Sequence, residues 1–435
     1  MSSGLKEANK IFIISYGCAI NQAHTEIMKG LLKKEGFILV DNEGSADLII
    51  MNTCSIKKPT EEKILARAAS LIRNGKKLII AGCLPISDPA RIHKLHPNIS
   101  IVGPYDFLKI ADVVKAALSN KNEVIVSRSD FNPLLKPRVL NNSLIAVIPI
   151  ARGCLGACTY CIDKLIWGRL KSYPKEDIVK TVQNFVKNGV KEIRLSGQDT
   201  GPYGWDLGYS LIELLDDILE IPDFFKIRIG MASPDTIMKI IDDLVKTMSR
   251  DNRIYRYLHI PVQSGSDRIL RLMNRKYSVD DFKNLIKFIR NKLGNNVTIA
   301  TDIITAFPTE REEDHQATLA LLNELKFDIV NLSRYGDRPG VPASKIYPKV
   351  HSKIAKRRSQ EIHQTIKKIS LDKNKSYLNK TLPALILEHD NGSLIGRLDN
   401  YKLIIVPYEQ SVLGSETYIR ITDVTWKTLY GRVIH

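Results

Sequence analysis

At 435 residues the chain exceeds one ordinary hydrophobic core and predicts two or three domains. Hydrophobic residues at 44% against 26% charged ones describe a water-soluble globular protein. No apolar run approaches a membrane span, and the opening MSSGLKEANK lacks the apolar stretch of an export signal, so a cytoplasmic protein with no membrane partner is expected. The six Cys are then poor disulfide material, and the formal charge of +17 favours a polyanionic partner.

Residues 1–126 predict a parallel α/β domain. Lys10–Tyr16 is an apolar run followed by Gly17, Cys18 and a helical pattern over Thr25–Glu35. Asp47–Met51 is a second run with Cys54 close behind it, and Leu78–Ile80 extends through Ala81 and Gly82 to Cys83. Ser100–Val102 supplies a fourth run before a helix over Leu108–Leu118. Strands alternating with helices make a parallel sheet, whose carboxyl ends lie along one edge. Cys18, Cys54 and Cys83 each follow a strand, so they are expected to converge as a metal site; core burial of free thiols is the competing reading.

Residues 127–143, with Pro133 and Pro137, read as a linker. The domain expected over 144–344 begins with a strand at Leu144–Ile150 that runs into ARGCLGACTYCIDKLIW, where Cys154, Cys158 and Cys161 have C-x3-C-x2-C spacing. Three thiolates this close can hold three irons of a cubic four-iron cluster and leave the fourth iron open. Zinc needs four ligands, and no fourth Cys or His is nearby; a disulfide leaves one Cys over. Further strands at Glu192–Leu195, Lys226–Gly230, Tyr257–Ile260, Thr298–Ile304 and Asp328–Leu332, with helices such as Lys175–Lys187, Ser210–Leu219 and Asp280–Lys292, predict a partial (β/α)6 barrel with function at its C-terminal rim. Gly197, Gln198, Ser233 and Gln263 stand at those strand ends, where amide oxygens, hydroxyls and small residues suit a zwitterionic, ribose-containing cofactor. Helix capping is the plainer reading for Ser233, Ser266 and Asp267.

Residues 345–375 carry ten Lys or Arg against Glu361 and Asp372. Ile354, Ala355, Ile362, Ile366 and Ile369 mark one apolar face of a basic helix. Lys353, Lys356, Arg357 and Arg358 are its candidate phosphate contacts, against the alternative of a solvated face. From residue 376 to 435, short β-rich runs divided by Asn391-Gly392 and Gly414 predict a small antiparallel barrel.

Two separate three-Cys sets, one on an α/β domain and one on a partial barrel, followed by a β-barrel, resemble the methylthiotransferases among radical SAM enzymes. YGCAIN, NTCSI and AGCLP are similar to that family's N-terminal cluster motifs, RGCLGACTYC to its SAM loop, and HIPVQSGSDRILRLMNRKY to its longest shared run. The C-terminal barrel resembles the RNA-binding TRAM module. LSGQDTGPYGWD and RPGVPA most resemble the archaeal and eukaryotic branch, which makes 2-methylthio-N6-threonylcarbamoyladenosine at position 37, beside the tRNA anticodon.

The resemblance implies two four-iron clusters. The one on Cys154, Cys158 and Cys161 would cleave S-adenosylmethionine to a radical, and the one on Cys18, Cys54 and Cys83 would carry the sulfur. Tyr160 would lie near the adenine of the cofactor, with Asp302 and Arg338 among its further contacts. The implied partners are the tRNA anticodon loop and an electron donor. DIITAFPTER departs from the family, which usually has glycine in place of Ala306 and Thr309 and threonine in place of Arg311. Rival readings are methylthiolation of isopentenyladenosine or of a ribosomal-protein aspartate, a radical SAM methyltransferase, and an RNA-binding iron-sulfur sensor.

Overall fold

Six parallel strands form the first sheet, in the order Ile38–Leu39, Lys10–Ser15, Leu48–Thr53, Lys77–Gly82, Ser100–Val102, Val124–Ile125. They belong to a computed structural model that describes residues 9–434; residues 1–8, part of the stretch read for an export signal, lie outside it. Every residue of Leu48–Thr53 is buried, as expected of a central strand covered by helices on both faces. The two-residue edge strands are too short to show as apolar runs. The first helix spans Ala19–Lys34, beginning well before the expected Thr25. In its first two turns the polar Asn21 and Thr25 face inward beside Ile20 and Ala23 and bond there, so periodicity of apolar residues alone misses its start.

The central domain has six parallel strands in two sets of three: Ile145–Pro149, Glu192–Ser196 and Lys226–Arg228, then Tyr257–His259, Thr298–Thr305 and Ile329–Arg334. The third strand stops at Arg228, short of the expected Gly230, and a parallel bridge between Ile227 and Ile254 joins the sets. Among the described residues the first and last strands do not pair, so the barrel is open on one side. Ser210 and Ser278 start two of its helices with capping boxes completed by Glu213 and Asp281.

The C-terminal strands Thr381–Asp390, Ser393–Leu398, Leu403–Pro407, Leu429–Ile434 and Glu416–Val424 close into a barrel in that order. It is not wholly antiparallel. The last hairpin folds back so that Leu429 and Tyr430 run parallel to Ile404 and Ile405. This small barrel seals the N-terminal end of the large one. Tyr401 packs on Tyr255 and Tyr257, each at 4.9 Å, and Lys226 pairs with Asp399 at 2.7 Å. The C-terminal rim is left to the first domain.

Helix Ser352–Lys375 lies along the last barrel strand and runs from rim to floor. Near its start Arg358 donates to Glu310, beyond the C-terminal end of strand Thr298–Thr305. At its end Lys373 pairs with Asp328, just before the last strand, and Asn374 Nδ2 donates to Thr425 O of the small barrel. The linker is an aromatic joint between domains. Phe131 meets Phe107 at 5.4 Å and Tyr173 at 6.3 Å, and His24 stacks on Phe107 at 4.0 Å. No helix among the described residues is long and apolar enough to cross a membrane.

Candidate metal centres and cofactor pocket

The three N-terminal Cys stand at the carboxyl edge of the first sheet. Cys18 is the N-cap residue of helix Ala19–Lys34, and Cys54 and Cys83 directly follow strands Leu48–Thr53 and Lys77–Gly82. Two asparagines stitch these loops together. Asn21 Nδ2 donates to Tyr16 O at 2.9 Å and Thr53 O at 2.7 Å, while Asn52 Nδ2 donates to Asn21 O at 2.9 Å. Cys83 Sγ reaches Asn21 Oδ1 at 3.9 Å. Burial holds the Cys83 thiol well above its ordinary pKa, reinforced by the charges of Cys18, Cys54 and Asp163.

The second triad lies on the loop after the first barrel strand. Cys154 Sγ accepts from Gly156 N at 3.2 Å, and Lys164 Nζ donates to Cys154 O at 2.8 Å. Cys158 Sγ accepts from Arg275 Nη1 at 3.0 Å. The loop is fixed to the segment after Leu272 by Thr159 Oγ1 donating to Leu272 O at 2.8 Å and Asn274 Nδ2 to Ala157 O at 2.8 Å. Burial pushes the Cys154 thiol up to about 12, and the Cys161 thiol is raised for the same reason.

One short helix, Asp163–Trp167, follows the second triad and packs on Leu84–Ser87 beside Cys83. Cys83, Ile162, Ile166 and Trp167 share an apolar cluster. The Asp163 carboxyl, pushed up to about 6 by burial, raises all of Cys18, Cys54, Cys83 and Cys161. The two triads therefore flank a common wall.

Both fit clusters better than single metal ions. All six Cys are free thiols. Among the described residues, Glu312, His315 and Glu361 are the one group of three metal-capable side chains with ligand atoms within 4.8 Å of one another, so neither triad is that tight. A tetrahedral zinc, with Zn–S about 2.3 Å, needs sulfurs about 3.8 Å apart.

The pocket above the second triad offers unpaired acceptors. Gln198 Oε1, Gln263 Oε1 and Thr305 Oγ1 are buried without a hydrogen-bond partner, at three different strand ends. Such orphans are costly unless a ligand donates to them. Gln263 holds φ at +72°, in the left-handed region. Gly197 has room: a Cβ there meets nothing closer than 3.6 Å. Ser233 stands at the N-cap position of helix Pro234–Ile237, but its side chain does not cap; its Oγ donates to Asp235 at 2.6 Å and accepts from Arg275 Nη2 at 2.8 Å. Ser266 is one, accepting from Ile269 N. Tyr160 packs edge-on against Phe307 at 6.4 Å, near Cys158 and Arg275. Asp302 lies in the barrel lumen, accepting from Asn331 Nδ2 at 2.8 Å and paired with His259 Nε2 at 2.9 Å.

Three family models match successive parts of the chain: Uncharacterized protein family UPF0004 over residues 10–103, Radical SAM superfamily over 148–322 and TRAM domain over 375–434. A probable threonylcarbamoyladenosine tRNA methylthiotransferase of Pyrococcus horikoshii is 37% identical over 98% of this chain and 99% of its own. The chain belongs to the radical SAM methylthiotransferases. The threonylcarbamoyladenosine tRNA methylthiotransferase of Drosophila melanogaster is 34% identical over 98% of this chain and 78% of its own. A radical S-adenosylmethionine methyltransferase from Kitasatospora setae shares the fold, with a TM-score of 0.57 and 11% identity over 78% of this chain and 77% of that one.

A methylthiotransferase of this class uses a four-iron cluster and S-adenosylmethionine, and the pocket described suits both. Arg275 carries no signal of its own in the sequence: it is a cation in contact with Cys158 of the cluster loop, suited to a cofactor carboxylate, inside a run singled out only for its resemblance. Arg338 is placed elsewhere than expected. It is buried at the junction with the first domain, donates to Glu61 Oε2 at 2.6 Å, and its charge acts on Cys54. The methylthiotransferase's basic helix also corrects two expectations. Arg358 is buried against Glu310, and Arg357, although exposed, donates to Glu312 Oε2 at 2.7 Å and Glu361 Oε1 at 2.9 Å, so both cations already have carboxylate partners within the chain. These pairs also neutralise the carboxylates around His315. Lys353 and Lys356 remain exposed.

Proposed function

We propose that this enzyme inserts a methylthio group at C2 of N6-threonylcarbamoyladenosine, at position 37 beside the anticodon of tRNA, using one four-iron cluster on each Cys triad. The observation that carries the reading is that helix Asp163–Trp167, directly after Cys161, packs against Cys83, and that Asp163 acts on thiols of both triads. Aromatic C2 has neither an acidic proton nor a leaving group, so side-chain acid–base chemistry alone does not suffice; the bound cluster and S-adenosylmethionine supply radical chemistry.

The chain's own residues bind and orient. Cys154, Cys158 and Cys161 would hold three irons, and Arg275, already directed at Cys158, would meet the cofactor carboxylate. Gln198, Gln263 and Thr305 would accept from its ammonium and ribose groups, with Gly197 allowing close approach, Ser233 holding Arg275, and Tyr160 with Phe307 walling the adenine side. Cys18, Cys54 and Cys83 would hold the cluster that carries the sulfur. The target base would enter between the domains, past Lys57, whose charge acts on Asp302 in the lumen, and the segment bearing Arg338. The relatives named for threonylcarbamoyladenosine support this substrate.

Anaerobically reconstituted protein is expected to hold two four-iron clusters, and Ala at Cys154, Cys158 and Cys161 to leave about half the iron. Nucleoside mass analysis of tRNA from cells with and without the protein tests the substrate. Unchanged levels of the 2-methylthio nucleoside would sink this assignment.

A further inference from the structure

With Arg357 and Arg358 paired to carboxylates, the lysines left free on helix Ser352–Lys375 among the described residues are Lys353, Lys356, Lys367 and Lys368. Lys353, Lys356, Gln360, His363 and Lys367 follow one another at spacings of three and four, and so share one helical face. All five are exposed, and among the described residues none of the three lysines has a carboxylate partner. The row covers about 21 Å at 1.5 Å per residue. It starts at the rim that bears the Cys154 loop and descends toward the small barrel.

Where the row reaches that barrel it meets Trp426. His363 contacts the ring edge-on at 5.5 Å, and Lys367 Nζ and Lys427 Nζ lie 5.7 and 4.6 Å from its centroid. Lys427 is exposed and also has no carboxylate partner among the described residues. The indole thus gathers one ammonium group from each of two domains. Two uncompensated cations fixed at one ring repel each other in the free protein, and a phosphate relieves both.

We propose that this seam, formed by His363, Lys367, Trp426 and Lys427 and continued by Lys356 and Lys353, is a track for the phosphate backbone of the tRNA. The proposal rests on the tRNA reading above and adds where the substrate lies: along the outside of the helix that spans the barrel, from rim to floor. The small barrel then grips the RNA at a distance from the reacting base, and the helix sets the spacing between grip and active site.

The test is the salt dependence of tRNA binding by the full-length enzyme. Joint replacement Lys367→Gln and Lys427→Gln should weaken binding and lower the slope of log K against log salt by roughly 0.7 to 0.9 for each phosphate no longer neutralised. Trp426→Ala should weaken binding with both lysines present, because their common anchor is gone. The same charge change at Lys33→Gln and Lys34→Gln, on the first domain, is the control for net charge. If the parent binds no tRNA, the functional reading falls and this one with it. If the parent binds and modifies tRNA but neither seam variant moves affinity or slope beyond the control, the track alone is overturned, and the seam belongs to an acidic protein partner or to solvent.

Discussion

Arg338 Nη1 donates to Glu61 Oε2 at 2.6 Å across 277 residues of chain, with both side chains buried. The pair joins the domain holding Cys54 to the barrel segment that follows its last strand. Glu61 also holds Arg91 at 2.9 Å, so removing Arg338 leaves its charge partly compensated, and the cost falls below the roughly 3–5 kcal/mol of a buried charge left alone. Arg338→Met is expected to open the junction between the domains, seen as faster proteolysis near residues 127–143 and a lower thermal midpoint. Adding Glu61→Met should restore much of the loss, because an apolar pair carries no stranded charge.

Gly17 tests the N-terminal triad without touching a thiol. Its φ is +105°, and an added Cβ would stand 2.5 Å from Cys54 Cβ and 2.8 Å from Cys54 Sγ. Gly17→Ala must therefore displace Cys54. Reconstituted variant should hold the iron of one cluster, with the barrel cluster's spectrum intact. Full iron content would contradict a metal site built on Cys18, Cys54 and Cys83.

The two positions where this chain departs from the family's glycines keep a glycine-like backbone. Ala306 has φ +59° and Thr309 has φ +66°. Left-handed backbone costs a residue with a side chain about 1 kcal/mol relative to Gly. Ala306→Gly should stabilise the protein by roughly that amount in denaturant melts. Thr309→Gly should gain less, since Arg268 Nη1 loses its bond to Thr309 Oγ1 at 3.2 Å.

His24 gives the fold an acid sensitivity. Burial, with the nearby charge of Arg138, lowers its pKa to about 3. The unfolded chain takes up the proton near pH 6.5 and the native state does not, so the stability contribution is intact above pH 6.5 and is lost progressively as pH falls toward 3. Between pH 7 and pH 5 this amounts to about 2 kcal/mol. His24→Phe should flatten that part of the stability profile; an unchanged slope would show that other groups set it.

The sequence by itself determined most of the elements and which Cys share a sheet edge or a loop. Cys18, Cys54 and Cys83 each follow a strand in an α/β alternation, and parallel strands put such positions on one edge whatever the loops do. The spacing of Cys154, Cys158 and Cys161 on one loop leaves them no way to be far apart. That Gln198, Ser233 and Gln263 would sit at strand ends of a barrel was legible for the same reason. What the tertiary structure decided is the pairing of charges and the meeting of domains. Arg338 and Arg358 look like free cations in the chain, but they are buried, and burial is tolerated because Glu61 and Glu310 arrive from distant segments. Arg275 stands 117 residues from the Cys158 it contacts, and Trp426 gathers lysines from a helix and a strand-end turn. Local pattern records hydrophobic period and spacing; it carries no record of which opposite charge will lie across an interface, because that depends on the packing of whole domains.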